Sequence, residues 1–152
     1  MAPSGRKKTS TRGLQAGIRT LSLPRVSTWE NRYADRDTIV RIEIPEFTCL
    51  CPKTGLPDFA LITLRYVPDQ SCLELKSLKA YVHAFRNLGI FHENAANRIL
   101  DDLWAACRPR ALSVEGVFNP RGGITTTVRS ELGNADLLIQ PPRRQGAKNL
   151  QP

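Results

Sequence analysis

The sequence predicts an α+β fold in which two helices pack on one face of an antiparallel sheet. Strand-like segments lie at both ends of the central part of the chain, and two segments with helical periodicity lie between them. The predicted order is therefore β-β-α-α-β-β. A length of 152 residues without an internal repeat favours one domain around a single core.

Two strands open this order. Apolar residues alternate with polar ones in the segment 38–49, which indicates a half-buried strand. Its apolar face carries Val40, Ile42 and Ile44. The segment 59–67 is rich in β-branched and aromatic residues and predicts a second strand. Pro68 and Asp69 predict the turn that ends it.

Two amphipathic helices follow. The segment 77–88 has one apolar stripe at helical spacing, and Gly89 predicts its end. This stripe consists of Leu78, Tyr81, Val82, Phe85 and Leu88. The segment from about 93 to 107 repeats the pattern, and Pro109 predicts its end. Its stripe consists of Ala96, Ile99, Leu100, Leu103, Trp104 and Cys107.

Two more strands, 111–118 and 124–129, flank a turn at 119–123. A sheet of four strands has open edges, and open edges invite pairing between subunits. We therefore expect a symmetric homo-oligomer.

The basic charge lies in the tails. The net charge is +8, but residues 1–25 carry six Lys or Arg and no acid, and residues 141–152 carry three and no acid. The segment 26–140 has a net charge of −1. We expect 1–25 and 141–152 to be disordered tails around a domain at 26–140. The near-neutral domain argues against a nucleic-acid-binding face, because such faces concentrate basic charge.

The apolar runs and the cysteine spacing indicate where the protein is located and what its cysteines do. No apolar run reaches the roughly 18 residues that cross a bilayer, and no apolar stretch follows the basic N-terminus, so we expect a cytoplasmic protein without a membrane partner. Disulfides are then unexpected. The spacing of Cys49, Cys51, Cys72 and Cys107 fits no standard zinc pattern, so we expect no metal site.

The segment 51–59, Cys-Pro-Lys-Thr-Gly-Leu-Pro-Asp-Phe, places a thiol and a carboxylate seven residues apart in a loop rich in Pro and Gly. A free thiol is only about 3% thiolate at pH 7, yet it is the most nucleophilic side chain available. A nearby anion would raise its pKa, so Asp58 is better suited to carry a proton than to activate Cys51. A buried thiol and a turn-forming Asp are the alternatives.

Other chemically capable residues surround the predicted helices. His92 and Glu93 begin the second helix, where they can cap it or bind a polar heterocycle. Lys76 and Lys79 are three residues apart and share a helical face, which suits a phosphate at a helix N-terminus but is also usual for solvated lysines. Arg121 lies in a tight turn and could complete such an anion site.

Several motifs in register resemble one enzyme family. The segment 47–59 resembles the active-site loop of the NADPH-dependent 7-cyano-7-deazaguanine reductases, the nitrile reductases of queuosine biosynthesis. The segment 74–81, Glu-Leu-Lys-Ser-Leu-Lys-Ala-Tyr, is similar to that family's signature, and 85–87, 91–93 and 119–123 match in order. The resemblance covers roughly residues 38–133 and is to the short, single-domain form.

This resemblance implies a tunnelling fold that assembles into multi-subunit barrels, decamer-like, with sites at subunit interfaces. It implies reduction of the nitrile of 7-cyano-7-deazaguanine to the primary amine with two NADPH in succession. By position, Cys51 is the nucleophile that forms a thioimide, and Asp58 is the general acid/base, with His92 beside it. The residues implied to bind substrate are Leu73, Glu74, Leu75, His92 and Glu93. The residues implied to hold the NADPH phosphates are Lys76, Lys79 and Arg121.

Two other functions stay open from the sequence. One is a zinc-dependent cyclohydrolase of the same fold, with Cys51, Cys107 and His92 as ligands, although their spacing is unusual. The other is a non-catalytic RNA-binding module that uses the basic tails.

Cys49, two positions before Cys51, points to the same face of an extended strand. It could form an oxidative pair with Cys51 or simply pack in the core.

Overall fold

The computed structural model describes residues 15–18 and 20–139. The elements of this part of the chain are β1 (Thr28–Glu30), β2 (Val40–Leu50), β3 (Pro57–Val67), β4 (Ser71–Leu73), α1 (Leu75–His83), α2 (His92–Cys107), β5 (Ala111–Arg121) and β6 (Ile124–Gly133). Short 3-10 turns follow α1 at Ala84–Asn87 and β6 at Ala135–Leu138.

The main sheet confirms the predicted α+β architecture. Its four strands are antiparallel in the order β2-β3-β5-β6, and α1 and α2 pack on one face. The predicted stripes of both helices are largely buried in that core, against residues such as Ile62, Leu64 and Val114. Among the described residues, no helix is both long and apolar enough to span a membrane.

Three local features differ from the prediction. A second, two-stranded sheet pairs β1 with β4, two strands too short to give an alternation pattern. The first helix begins at Leu75 because the Glu74 side chain accepts hydrogen bonds from the N–H groups of Lys76 and Ser77. Gly89 is no helix cap, because the chain at Leu88–Ile90 is extended and bonds Leu50 of β2.

Two β-bulges interrupt the main sheet at the same end. In β2, the register with β3 shifts by one residue between Ile44 and Phe47. In β5, the register with β6 shifts by one residue between Phe118 and Arg121. An extra residue reverses the alternation beyond it, so side chains that strict alternation would point outward turn towards the helices. Phe47, Cys49 and Cys51 are buried for this reason.

Part of the predicted N-terminal extension contacts the core. Arg98 of α2 donates hydrogen bonds to the carbonyl oxygens of Ile18 and Leu21, and Ile18 and Leu23 pack against the core. The Gln15 side chain donates a hydrogen bond to the Gly89 carbonyl and accepts one from the Phe91 N–H, just before α2. Residues 1–14 and 141–152 of the predicted tails lie outside the described residues, and the division of the chain at residues 25 and 140 stays a prediction.

Candidate active site

The loop between β2 and β3 fixes the position of Cys51. The Cys51 N–H donates to the carbonyl of Leu56, and the Gly55 N–H donates to the carbonyl of Cys51, both at 2.8 Å. Gly55 has a φ of 71°, which an L side chain rarely adopts. The loop is therefore a closed turn, and the Cys51 side chain, 7% exposed, faces the helix-covered side of the sheet.

Asp58, the second residue of β3, lies on the same side of the sheet. It is the cross-strand partner of Cys49, and it is 3% exposed. Its Oδ2 is 3.1 Å from His92 Nε2, and its Oδ1 is 2.5 Å from Arg121 Nη1. The contact with Arg121 is an ion pair without good hydrogen-bond angles, so Oδ1 makes no hydrogen bond among the described residues.

His92, the first residue of α2, is held from two sides. Its ring stacks on Phe118 with a centroid separation of 3.7 Å and an interplanar angle of 7°. Its Nε2 meets Asp58, as above, and only 14% of the side chain is exposed. The stack fixes the plane of the imidazole, and the carboxylate fixes its rotation within that plane.

The surroundings of Cys51 favour the thiolate. Burial by itself would raise the pKa of this thiol. The Thr54 hydroxyl and the N–H groups of Lys53 and Thr54 hydrogen-bond the sulfur, as does Arg121, and together they lower the pKa from 9.0 to about 7. About half of the thiol is therefore ionised at neutral pH, instead of the few per cent of an ordinary free thiol.

Cys49 behaves differently although it is two residues away. Its side chain is fully buried, and burial followed by the charge of Asp58 raises its pKa to about 12. It carries a free thiol, as does Cys51. Cys49 therefore packs in the core as a free thiol, and its oxidative pairing with Cys51 stays a prediction.

The second group of predicted site residues lies around the start of α1. Leu73 is buried, with its N–H donating to the Tyr66 hydroxyl, and Glu74 caps the helix. The capped N–H groups of Lys76 and Ser77 are thus not available to a phosphate, contrary to our expectation of exposed helix donors. Within this second group, the side chains that remain open to solvent are those of Leu75, Lys76 and Lys79.

The start of α1 lies at the end of the sheet opposite Asp58, and Lys79, one turn further along the helix, lies beside Ile42 and Ile44 in the middle of the sheet. Asp58 and Tyr66 are eight residues apart on β3, a span of about 26 Å at 3.3 Å per residue. His92, Glu93 and Arg121 lie at the Asp58 end, whereas Leu73 to Lys76 lie at the Tyr66 end. One copy of the chain therefore brings together Cys51, Asp58, His92 and Arg121, but not the residues at the start of α1.

The same geometry argues against the zinc site that the sequence left open. His92 and Cys107 are the first and last residues of α2, a span of about 22 Å. They cannot bind one ion. The described residues contain no group of three potential ligands close enough to hold a metal.

Sequence reasoning did not find Thr54 or Phe118 as parts of the site. Thr54 was visible in the loop, and its hydroxyl, two residues before Leu56, accepts from the Leu56 N–H and so leaves its proton for the sulfur. Phe118 had no local signal, because its contact with His92 joins residues 26 positions apart.

The fold and the site define an α+β protein in which an ionisable thiol lies beside a buried carboxylate–histidine pair. The family model described as "QueF-like protein" matches residues 57–136, a range that includes Asp58, His92 and Arg121. Among solved structures, an archaeosine synthase QueF-Like in its apo form matches with a TM-score of 0.59 and 25% identity, covering 63% of this chain and 94% of that one. This match supports the tunnelling fold that the resemblance implied.

Curated relatives give a more specific result. An NADPH-dependent 7-cyano-7-deazaguanine reductase of Nitrosococcus oceani is 58% identical over 106 residues, which are 70% of this chain and 82% of that protein. Its namesake in Chlorobaculum tepidum is 60% identical over 103 residues, which are 68% and 88% of the two chains. The chain belongs to the family of NADPH-dependent 7-cyano-7-deazaguanine reductases.

Proposed function

We propose that this chain reduces the nitrile of 7-cyano-7-deazaguanine to the primary amine, with Cys51 as the nucleophile. The observation that carries the proposal is the buried Cys51 thiol in one cluster with Arg121 and the Asp58–His92 pair, where the sulfur accepts hydrogen bonds that favour the thiolate. A nitrile carbon is a weak electrophile, and a thiolate is a nucleophile strong enough to add to it. Membership of the family supplies the substrate.

In the first step, the Cys51 thiolate adds to the nitrile carbon, and one π bond of the nitrile breaks as the S–C bond forms. The nitrogen takes up a proton that Asp58 first accepts from the Cys51 thiol or, where the thiol is already ionised, from solvent, which gives a neutral thioimide. Asp58 is the proton carrier, because it is a buried carboxylate in the same cluster as Cys51, with its Oδ2 in contact with His92 and its Oδ1 in contact with Arg121. His92 completes the acid–base pair and, with Glu93, which is exposed at the start of α2, offers hydrogen bonds to the heterocycle.

The cofactor-binding cations are proposed to be Lys76, Lys79 and Arg121. The two lysines are exposed on α1, and Arg121 is 46% exposed, so all three side chains can reach a phosphate. Bound NADPH would supply hydride, and two hydrides convert a nitrile to a primary amine. Two copies of the chain fit this proposal better than one, because the start of α1 with Lys76 lies at the end of the sheet opposite Arg121, and Lys79 lies beside Ile42 and Ile44, midway along it.

We propose accordingly that the complete site lies between subunits of a homo-oligomer, decamer-like as in the expectation above. Leu73, Glu74 and Leu75 of one copy would then line the pocket beside Cys51 of the next. The outer edge of β6 pairs with no strand among the described residues, so it can extend the sheet into a neighbour. The proposed setting is the cytoplasm, with residues 26–140 as the catalytic domain and no direct contact with nucleic acid.

Measurement of NADPH oxidation tests whether Cys51 is the nucleophile. We expect 7-cyano-7-deazaguanine to drive oxidation of two NADPH per amine in the wild type and none in Cys51→Ala. Cys49→Ala is the matched control, because it removes a buried thiol two residues away and should keep turnover. Turnover in Cys51→Ala would contradict the mechanism.

Co-expression tests the shared site. Copies with Cys51→Ala and copies with Lys76→Ala/Lys79→Ala should each assemble into inactive oligomers. Mixed oligomers should regain activity, because some interfaces combine an intact Cys51 with an intact α1. No recovery in verified mixed oligomers would place the whole site within one copy.

A further inference from the structure

Arg121 reaches the catalytic cluster because of the bulge in β5. The ladder between β3 and β5 pairs Ala60 with Phe118, so an unbulged strand would place Pro120 across from Asp58. The extra residue instead puts Arg121 at that position and turns it to the helix-covered side. Gly122 and Gly123, with φ of 56° and 80°, make the tight turn directly after it. The backbone thus aims a guanidinium at a buried carboxylate.

The position of Arg121 reduces the repulsion between the Asp58 carboxylate and a nearby thiolate. A buried carboxylate disfavours a thiolate beside it, as Cys49 shows, because the charge of Asp58 is among the causes that raise the Cys49 pKa. The charge of Arg121 opposes that effect on the same thiol. A cation in contact with Asp58 therefore reduces the repulsion between its carboxylate and a thiolate in the same cluster.

We propose that Arg121 is a positioning residue for the reaction, which contacts the Asp58 carboxyl group and hydrogen-bonds Cys51 so that the thiolate can form beside Asp58. This role concerns the free enzyme and is additional to any contact with a phosphate, because nearly half of the side chain stays exposed. It rests on the proposed function only in that Cys51 is the nucleophile.

The other groups near Cys51 do not perform this task. Lys53 is exposed and contributes its backbone N–H, and Thr54 donates a hydrogen bond but carries no charge. The His92 ring is committed to Asp58 Oδ2 and to the face of Phe118. Of the side chains that contact the cluster from β2, β3, β5 and α2, Arg121 is the one with a permanent positive charge.

The test measures the thiol without substrate or cofactor. The full chain is alkylated with iodoacetamide across pH, and the Cys51 peptide is quantified by mass spectrometry. We expect a wild-type midpoint near pH 7 and a higher midpoint in Arg121→Gln, where a rise of about one unit is about fivefold slower alkylation at pH 7. Arg129→Gln, in the neighbouring strand, removes an exposed arginine paired with Glu131 and should leave the midpoint unchanged.

A second pair of variants covers the case in which Arg121→Gln does not fold because Asp58 is left uncompensated. Asp58→Asn and Asp58→Asn/Arg121→Gln contain no buried carboxylate. The midpoint of the double variant should lie above that of Asp58→Asn, because the hydrogen bond from Arg121 to the sulfur is lost. Equal midpoints in both pairs, with a raised KM for NADPH in Arg121→Gln, would overturn the proposal in favour of phosphate binding alone. Absence of nitrile reduction by the wild type would refute the proposed function instead, and would not move these midpoints.

Discussion

The stack of His92 on Phe118 gives a prediction that separates stability from catalysis. Phe118 is 1% exposed and contacts Phe47 edge-on in addition to His92. Phe118→Leu removes part of a buried ring and should lower the free energy of unfolding by about 1–2 kcal/mol. It also removes the platform of the imidazole. Such a stack is worth about 0.5–1.5 kcal/mol, so losing it from the catalytic geometry should lower kcat/KM by about twofold to tenfold.

Phe85→Leu is the matched control. Phe85 is fully buried in the same core and contacts Phe47 and Tyr81, but its ring is not stacked on His92. The two variants should lose similar stability in urea at one fixed protein concentration, and only Phe118→Leu should lose the additional activity. Equal kcat/KM values for the two variants would refute the inference that the stack positions His92.

Three further predictions follow from local geometry. Gly133→Ala should lower the free energy of unfolding, measured by thermal unfolding, by more than about 2 kcal/mol, because φ is 81° and an added Cβ would clash with the Arg110 carbonyl oxygen. Gly122→Ala, with open space around the added Cβ, should lower it by about 1 kcal/mol. The pH profile of kcat/KM should fall below about pH 7 as the Cys51 thiolate is protonated, and Cys49→Ala should not shift this limb. Arg98→Ala should increase amide exchange in residues 20–26, which hydrogen-exchange mass spectrometry would detect, because the Leu21 carbonyl loses its donor.

The elements of the fold were predictable because their signals are local. Strand alternation in β2 and β3 and the apolar stripes of α1 and α2 each depend on residues within about 15 positions. The starts and ends of the helices were less predictable. Glu is not a common N-cap, so the cap at Glu74 was missed, and α2 begins at His92 with no side-chain cap at all.

The assembly of the site was only partly predictable. The residues Cys51, Asp58 and His92 were identified from motifs, but strict alternation would place Cys49 and Cys51 on the face opposite Val40. The bulge after Ile44 reverses this, and only Pro45 hinted at it. The contacts of Asp58 with His92 and Arg121 join positions 34 and 63 residues apart, and no local pattern encodes such a distance in sequence.

The most direct test of the central claim is the intact mass of the protein after incubation with 7-cyano-7-deazaguanine and without NADPH. Addition of a thiolate to a nitrile loses no atoms, so the wild type and Cys49→Ala should each gain the full mass of the substrate, and Cys51→Ala should gain nothing. An unmodified wild type whose Cys51 is shown to be reduced, or an adduct that persists in Cys51→Ala, would contradict the account of Cys51 as the nucleophile.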